Sequence, residues 1–364
     1  MNVPERVLLG PGPSPVSARV MRAMSLPVLS HLDPQMMTLL EEVSARLGRV
    51  FGVGPDAFSF AVSGTGTSGM ETAVANLTTA ATRAVVVVNG YFGDRLARML
   101  QSYGADVIRV ESEWGRACDP AAVGRAVQSS RCDIVAVVHA ETSTGVLNPV
   151  KDVLDAAARA DALTIVDAVT SLGAIPLRVS ELRADVVYSC TQKGLGAPSG
   201  LAPITFSASA RSRRVQSRSF YFDLALLEDY WRGRKYHHTI SAPLVYALRE
   251  ALAVVEEEGL EARWARHEQN HRALVEGLTE LGLQLLPPEG ERLWTLNAVR
   301  VPDGVDEAAV RRHLLEHFNI EIGAGLGPLA GKIWRVGLMG SGSSPANVMV
   351  FLAALERALR DART

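Results

Sequence analysis

Cysteine is scarce in this chain, and its positions lie far apart. The 364 residues include three cysteines, Cys118, Cys132 and Cys190. Their spacing forms neither a disulfide framework nor a zinc pattern. His237 and His238 indicate no metal site either, because two adjacent histidines cannot easily face one ion. The composition therefore predicts a protein without a bound metal in a reducing, cytoplasmic setting.

Long apolar runs and an excess of one charge are also missing. No run approaches the roughly 20 apolar residues that span a bilayer, and the formal net charge is −2. The first residues show no basic segment followed by an apolar one, so no secretory signal is visible. Neither nucleic acid nor a membrane is expected as a partner. The length and a hydrophobic content of 48% instead predict a globular chain with two domains.

Lysine is scarce as well, and this directs attention to Lys193. Arginine supplies all of the 37 basic residues except four lysines, at positions 151, 193, 235 and 332. Lys193 follows an apolar run over residues 185–189 and precedes the small residues of Gly194-Leu195-Gly196-Ala197. Burial there would lower the pKa of the amine, and a neutral amine can form a Schiff base. A structural lysine that caps carbonyls or pairs with an acid is the alternative.

Asp167 makes the first interpretation more specific. It ends another apolar run, over residues 163–167, so both charged groups are predicted at the carboxyl ends of strands on one rim of a sheet. An acid at a strand end can also be only a cap or a turn residue. Pyridoxal phosphate, however, needs a lysine for its aldehyde and a carboxylate for its ring nitrogen. Asp167 and Lys193 together predict this cofactor.

A third candidate is the segment from Ser63 to Gly69, which contains only Gly, Ser and Thr. It follows a predicted strand over residues 58–62 and precedes a helical pattern from about Met70 to Leu77. Free N–H groups and the helix dipole would make this loop an anion cradle. A plain tight turn explains the same residues.

Arg335 is the last chemical candidate. It lies in a short apolar segment, where burying its charge without a partner is costly. Its guanidinium can hold a carboxylate through two hydrogen bonds. The carboxylate could belong to a substrate or to an acid of the same domain.

These motifs resemble those of the class V pyridoxal-phosphate aminotransferases, most closely the alanine–glyoxylate and serine–glyoxylate (serine–pyruvate) group. The resemblance runs nearly end to end and rests on the segments LLGPGP at residues 8–13, DAVTSLG at 167–173, CTQKGLGAP at 190–198, YHHTI at 236–240 and RVGL at 335–338. It implies an α/β fold of type I, with a large domain on a mostly parallel sheet of the seven-stranded type and a smaller C-terminal α/β domain. The implied divisions are an arm over residues 1–20, a large domain over 21–255 and a small domain over 256–364.

The resemblance also implies a role for each site residue. Lys193 would form the Schiff base, Asp167 would bind the ring nitrogen, and Arg335 would bind the substrate carboxylate with Gly12 of the arm nearby. Phe92 and Val169 would hold the ring between them, Thr142 would lie near its oxygen, and Tyr236 and Thr239 would reach across a homodimer to the partner's phosphate. The remaining implied cofactor residues are Thr65, Gly66, Thr67 and Gln192.

The implied reaction is a ping-pong transfer of an amino group from alanine or serine to glyoxylate or pyruvate. A class V lyase or cysteine desulfurase, a transaminase for a specialised donor such as an aminophosphonate, and a non-catalytic protein of the same fold are the alternatives. A desulfurase needs a mobile cysteine on a loop, whereas Cys190 is predicted at a strand end near Lys193, and Cys118 and Cys132 lie outside matched motifs. Intact Lys193 and Asp167 argue against a non-catalytic protein.

Hydrophobic periodicity predicts several elements around these motifs. Strands are expected at residues 84–88, 134–138 and 202–206, and a helix at 36–51. A long helical stretch is expected from about Pro243 to Leu281, followed by alternating elements to the last helix at 345–360. Strands that alternate with helices predict right-handed crossovers in a parallel sheet.

Overall fold

A computed structural model of the protein describes residues 2–361. The helices are α1 (Ala18–Ala23), α2 (Pro34–Phe51), α3 (Gly66–Leu77), α4 (Tyr91–Ser102), α5 (Pro120–Ser130), α6 (Val150–Ala158), α7 (Val179–Leu182), α8 (Ala208–Ser212), α9 (Leu224–Trp231), α10 (Ala242–Glu258), α11 (Leu260–Glu280), α12 (Glu307–Phe318) and α13 (Pro345–Asp361). The strands are β1 (Val7–Leu8), β2 (Phe58–Gly64), β3 (Arg83–Val88), β4 (Asp106–Glu111), β5 (Ile134–Val138), β6 (Ala140–Glu141), β7 (Val146–Leu147), β8 (Leu163–Asp167), β9 (Val186–Tyr188), β10 (Gly200–Phe206), β11 (Leu296–Arg300), β12 (Ile320–Glu321), β13 (Gly323–Ala324) and β14 (Ile333–Gly337).

The central sheet has seven strands in the order β2-β10-β9-β8-β5-β3-β4. Strand β10 runs antiparallel to both of its neighbours, and the other pairs are parallel. All five residues of β5 and of β8 are buried, because helices cover both faces of the sheet. The predicted α/β class and the mostly parallel sheet are confirmed.

Local chemistry sets the limits of helix α2. Asp33 caps its start by accepting a hydrogen bond from the backbone N–H of Gln35, and Pro34 occupies the first turn. Gly52 ends the helix with a φ of 69°, a left-handed conformation that favours glycine. Between these residues, Met36, Leu40, Val43 and Leu47 place one apolar face against the sheet.

Two apolar cores lie on either side of a break between helices. The large core extends along the chain to Val255. A second core joins helices α11, α12 and α13 to a three-stranded sheet of order β11-β14-β13. Gly259, with a φ of 79°, separates α10 from α11, so the single helical stretch predicted over 243–281 is two helices.

The N-terminal arm packs on its own chain. Strand β1 pairs with β12 in parallel, and Leu9 belongs to the second core. Helix α1 spans residues 18–23 and therefore crosses residue 20, where the sequence predicts the end of the arm. Within residues 2–361, no helix combines the length and apolar character needed to cross a membrane.

Candidate active site

The carboxyl ends of β8 and β9 meet at one edge of the central sheet. Asp167, the last residue of β8, pairs in register with Tyr188, the last residue of β9. A cavity of about 240 Å³ opens here. Its walls are formed by Thr65, Gly66, Thr67, Met70, Phe92, Arg95, Val138, Ala140, Thr142, Asp167, Val169, Thr170, Cys190, Gln192 and Lys193. Every residue predicted to bind the cofactor is among them except Tyr236 and Thr239.

Asp167 is buried in the wall of the cavity. One carboxylate oxygen accepts a hydrogen bond from the backbone N–H of Val169 at 2.8 Å, and the other accepts one from the Tyr188 hydroxyl at 2.8 Å. Burial raises the pKa of Asp167 to about 6, although both donors and the charge of Lys193 act in the opposite direction. A cationic ring nitrogen placed here would favour the ionised carboxylate.

Lys193 lies in the turn after β9 and faces the N-terminal arm. Its amine donates a hydrogen bond to the carbonyl of Pro11, and a Cβ atom added at Gly12 would overlap that amine. Ser14 binds the same turn, because its hydroxyl donates to the Lys193 carbonyl at 2.8 Å. Burial lowers the pKa of Lys193, and the positive charge of Arg335 lowers it further. The amine therefore loses its proton more readily than an exposed lysine would.

The predicted anion cradle begins one turn earlier than the sequence pattern indicates. Helix α3 starts at Gly66 rather than near Met70, so Gly66 and Thr67 form its first turn. No side chain of Thr65 caps this end. A Cβ atom at Gly66 would lie 2.8 Å from Val169, so glycine leaves the backbone open to the cavity. The helix start can thus bind a phosphate through its N–H groups.

Arg335 lies next to this cavity, in the middle of β14. It is 7% exposed. Its side chain donates to the carbonyl of Ala324 at 2.6 Å and to that of Thr142 at 3.4 Å. Among the described residues no acid lies within ion-pair distance of it, and burial lowers its pKa to about 10. The charges of Glu141 and Glu321 act on Arg335 without a direct ion pair. Within residues 2–361 the alternative of an internal salt bridge is therefore not observed, and the guanidinium is available to a ligand carboxylate.

Tyr236 and Thr239 lie outside the cavity. The Tyr236 side chain is 63% exposed, and Thr239 is exposed as well. Between them, the buried His237 and His238 rings bond to each other at 2.7 Å, and His238 bonds to Ser63 at 2.8 Å. In the part of the chain that is described, no cluster of three or more metal-binding side chains occurs.

The cysteines have the wrong surroundings for a sulfur acceptor. Cys118, Cys132 and Cys190 are all buried and unpaired. Burial raises the pKa of Cys118 and of Cys190 to about 12, so both remain thiols near neutral pH. This disfavours the desulfurase alternative.

Three residues of the site escaped the sequence analysis. Tyr188 donates to Asp167, Arg95 donates to Thr67 Oγ1 at 3.1 Å, and Glu141 is buried behind the cavity wall. The position of Tyr188 at the end of its strand, one sheet neighbour from Asp167, could have indicated it. The other two are brought in by contacts between distant segments.

Pyridoxal phosphate fits the residues present. A buried carboxyl group and an amine with a lowered pKa face one cavity, and a free helix start lies beside them. The buried Gln192 Oε1 has no hydrogen-bond partner within residues 2–361, although Gln192 lines the same cavity. A polar ligand would supply that partner.

Comparison with known proteins agrees with this geometry. The family described as Aminotransferase class-V matches residues 8–333. The crystal structure of an alanine–glyoxylate aminotransferase from Nostoc sp. is 43% identical, covers 99% of this chain and 97% of its own, and superposes with a TM-score of 0.96. A ureidoglycine–glyoxylate aminotransferase from Bacillus subtilis is 38% identical over 100% of this chain and 95% of its own, with a TM-score of 0.97. An alanine–glyoxylate aminotransferase of Drosophila melanogaster is 37% identical over 100% of this chain and 94% of its own.

Proposed function

Because the chain belongs to the class V aminotransferases, which depend on pyridoxal phosphate, we propose that it transfers the amino group of alanine or serine to glyoxylate or pyruvate. The proposal rests on one observation: Lys193 and Asp167 line the same cavity, and Arg335 lies beside it. Among the residues that the structure describes, no acid lies within ion-pair distance of that arginine. Two of the relatives are alanine–glyoxylate aminotransferases, which supports this donor and this acceptor.

Each of the three charged residues has one task in this proposal. The cofactor, when bound, supplies an aldehyde for the amino group and an electron-withdrawing ring. Asp167 holds the ring nitrogen in its cationic form, and Arg335 orients the substrate through its carboxylate. Lys193 Nζ takes the proton from the substrate Cα, since its lowered pKa makes the neutral amine accessible.

The size of the cavity favours a small donor. Its volume of about 240 Å³ lies below the usual range of roughly 300–1,000 Å³ for ligand pockets. The arm closes it further, because the Pro11 carbonyl contacts the Lys193 amine. Once the cofactor ring is bound, little room remains for a long side chain.

The donor and acceptor are tested with isotope-labelled amino groups. Purified protein with cofactor is incubated with nitrogen-15 alanine or serine and with glyoxylate or pyruvate, and labelled products are measured by mass spectrometry. We expect labelled glycine from alanine and glyoxylate, and none from a Lys193→Ala variant. Release of sulfide from cysteine without transfer of any labelled amino group would instead identify a desulfurase.

The active unit in this proposal is a homodimer with shared sites. Tyr236 and Thr239 are exposed and do not line the cavity of their own chain, although both are candidate phosphate ligands. Exposed apolar side chains also cluster near the N-terminus at Met21, Leu26 and Val28. A second copy of the chain would cover such a surface and bring its own Tyr236 and Thr239 to the cavity.

A further inference from the structure

We propose that Glu141, together with Ser143, is a positioning residue for this transaminase, which holds the start of helix α4 and thereby places Phe92 against the cofactor ring. The proposal rests on the proposed function only in that the cavity binds pyridoxal phosphate. It is carried by the hydrogen bonds at the first turn of α4.

The first turn of α4 has no cap of its own. A helix begins with backbone N–H groups that lack partners within the helix, and a side chain at the preceding position usually binds one of them. That position is Gly90, which has no side chain to offer. The partners must therefore come from another part of the chain.

Glu141 and Ser143 bind all of the first three N–H groups. Tyr91 N donates to Ser143 Oγ at 2.9 Å. Phe92 N and Gly93 N both donate to Glu141 Oε2, at 3.2 and 3.1 Å. A loop about fifty residues further along the chain therefore caps this helix.

The second carboxylate oxygen of Glu141 also accepts two hydrogen bonds. Oε1 accepts from the backbone N–H of Ser143 at 3.1 Å and from its hydroxyl at 2.5 Å. Each carboxylate oxygen thus accepts two hydrogen bonds, an arrangement that an ionised carboxylate satisfies and an amide or a carboxylic acid does not. Glu141 is 0% exposed, and burial raises the pKa of its carboxyl to about 7. The hydrogen bonds from Ser143 and Gly93 and the positive end of the helix dipole act in the opposite direction and favour the negative charge.

Space around Gly90 shows how close the two segments are. A Cβ atom added there would lie 2.6 Å from Ser143 Oγ and would overlap the Glu141 side chain. Only glycine permits this approach. The contact is therefore a tight junction between α4 and the loop after β6.

Both segments of the junction reach the cavity directly. Phe92 lines it from α4, and Thr142, which lies between Glu141 and Ser143, lines it from the loop. One turn further along α4, Arg95 places its guanidinium 5.1 Å from the Phe92 ring centre and binds Thr67. The Thr142 carbonyl accepts from Arg335. A shift at Glu141 would therefore move the aromatic wall of the cofactor site.

The test measures how the cofactor is bound, without any substrate. Glu141→Gln and Glu141→Ala are titrated with pyridoxal phosphate, and the visible circular dichroism per bound cofactor reports the fixed orientation of its ring. We expect at least a tenfold loss of affinity and a reduced signal for Glu141→Ala. The affinity and the signal of Glu141→Gln should lie between those of the wild type and of Glu141→Ala. Its amide oxygen still accepts hydrogen bonds, whereas its NH₂ group faces other donors.

Two further variants separate positioning from general stability. Glu291→Gln is the matched control, because Glu291 also accepts from a distant backbone N–H, that of Ala117, but lies outside the cavity wall. It should leave affinity and dichroism unchanged. Ser143→Ala removes the partner of Tyr91 N and one donor to Glu141 Oε1, but it keeps the carboxylate that binds Phe92 N and Gly93 N. It should therefore reproduce part of the Glu141 effect, and it replaces Glu141→Ala in the test if that variant does not fold.

A double variant decides whether the effect passes through Phe92. If Glu141 acts by placing that ring, Phe92→Ala combined with Glu141→Gln should bind the cofactor no more weakly than Phe92→Ala alone. Additive losses, or native dichroism in Glu141→Gln with only a lowered melting temperature, would overturn the proposal. Absence of alanine–glyoxylate turnover would leave these cofactor measurements unaffected, so the two proposals fail separately.

Discussion

The two ends of the cofactor cavity are built in different ways. At the ring end, Asp167 is buried, and each of its oxygens accepts a hydrogen bond from its own chain. At the phosphate end, the start of α3 has no side-chain cap from Thr65, and the candidate ligands Tyr236 and Thr239 lie exposed elsewhere on the surface. The ring end is complete within one chain, whereas the phosphate end offers donors that a second chain could supplement.

This difference indicates that the buried charged groups determine the reaction and that the phosphate end contributes to cofactor affinity. The two titrating groups of the chemistry, Asp167 and Lys193, are enclosed, and burial raises the pKa of Asp167 and lowers that of Lys193. The neutral amine thereby becomes accessible, and a cationic ring nitrogen would return Asp167 to its ionised form. Phosphate is an anion that several N–H groups and hydroxyls can share, so its site tolerates an open side. Changes to Asp167 or Lys193 should therefore alter turnover, and changes at the phosphate end should alter cofactor binding.

The largest effect should come from Lys193→Ala, which removes the only amine in the described cavity wall. We expect no measurable transamination, while the cofactor still binds through its other contacts. Borohydride reduction followed by mass spectrometry should find the cofactor attached to the wild-type chain and absent from the variant. Lys235→Ala, at an exposed lysine, is the control. A cofactor adduct retained in Lys193→Ala would place the Schiff base on another lysine.

Arg335→Ala should follow in size. Removing one member of a buried charged pair typically costs about 2–5 kcal/mol, or roughly 30- to several-thousand-fold in kcat/KM at about 1.4 kcal/mol per decade. Every α-amino acid should be affected, since each presents the same carboxylate, and Arg335→Lys should restore only part. Amines without a carboxylate should react as before. Equal losses for both donor classes, with a lowered melting temperature, would show a structural role instead.

Asp167→Asn should change how the stability of the cofactor-free protein depends on pH. The Asp167 carboxyl keeps its proton up to about pH 6 in the folded chain, against a reference pKa of 3.8. Folding therefore takes up a proton between these values, and stability falls as the pH rises through them, by on the order of 3 kcal/mol. Asp167→Asn lacks this titrating group, so its free energy of unfolding relative to that of the wild type should increase as the pH rises.

Urea unfolding at pH 5 and pH 7.5 checks this, and roughly half of the loss falls within that range. Asp303→Asn, at an exposed position, provides the control for removal of one carboxylate. A stability difference between Asp167→Asn and wild type that stays constant with pH would contradict burial as the cause of the raised pKa.

The smallest effects are expected at the phosphate end. Tyr236→Phe or Thr239→Ala removes one hydrogen bond to a charged group, worth about 1.5 kcal/mol, which corresponds to roughly tenfold weaker cofactor binding. Turnover at saturating cofactor should change little.

Mixing variants tests whether these residues act across a dimer. A chain with Tyr236→Phe and a chain with Lys193→Ala, refolded together, form some sites with both native residues if the sites are shared. Those sites should recover wild-type cofactor affinity. A mixture that binds no better than the two separate variants, or a fully active monomer in light scattering, would exclude the shared site.

Regular patterns made the sheet predictable from sequence. The strand at 134–138 has the predicted bounds, and those at 84–88 and 202–206 differ at their ends by one or two residues, because runs of buried valine and isoleucine suit a strand covered on both faces. The first and last residues of the helices are harder to predict from sequence. The sequence pattern predicts the start of α3 too late, because glycine and serine in its first turn have low helix propensity and contacts with the sheet override that propensity. The sequence also predicts one helical stretch through Gly259, since a single glycine need not end a helix.

The site residues divide in the same way. Asp167 and Lys193 could be identified from sequence because each follows a strand, and the carboxyl ends of parallel strands meet at one edge. Glu141 could not, since it resembles any acid in a polar loop until the structure places it against α4. Arg95 likewise reads as a surface residue of an amphipathic helix.

By itself the sequence determined the α/β class, the order of the strands along the chain, the family and the residue types that pyridoxal phosphate needs. These follow from local periodicity and from motifs whose members are close in sequence. Only the tertiary structure decided that Arg335 has no acid within ion-pair distance among residues 2–361, that Glu141 caps α4 and that Tyr236 does not line its own cavity. Those facts depend on which distant segments are packed together, and burial, hydrogen bonding and charge compensation act through space and not along the chain.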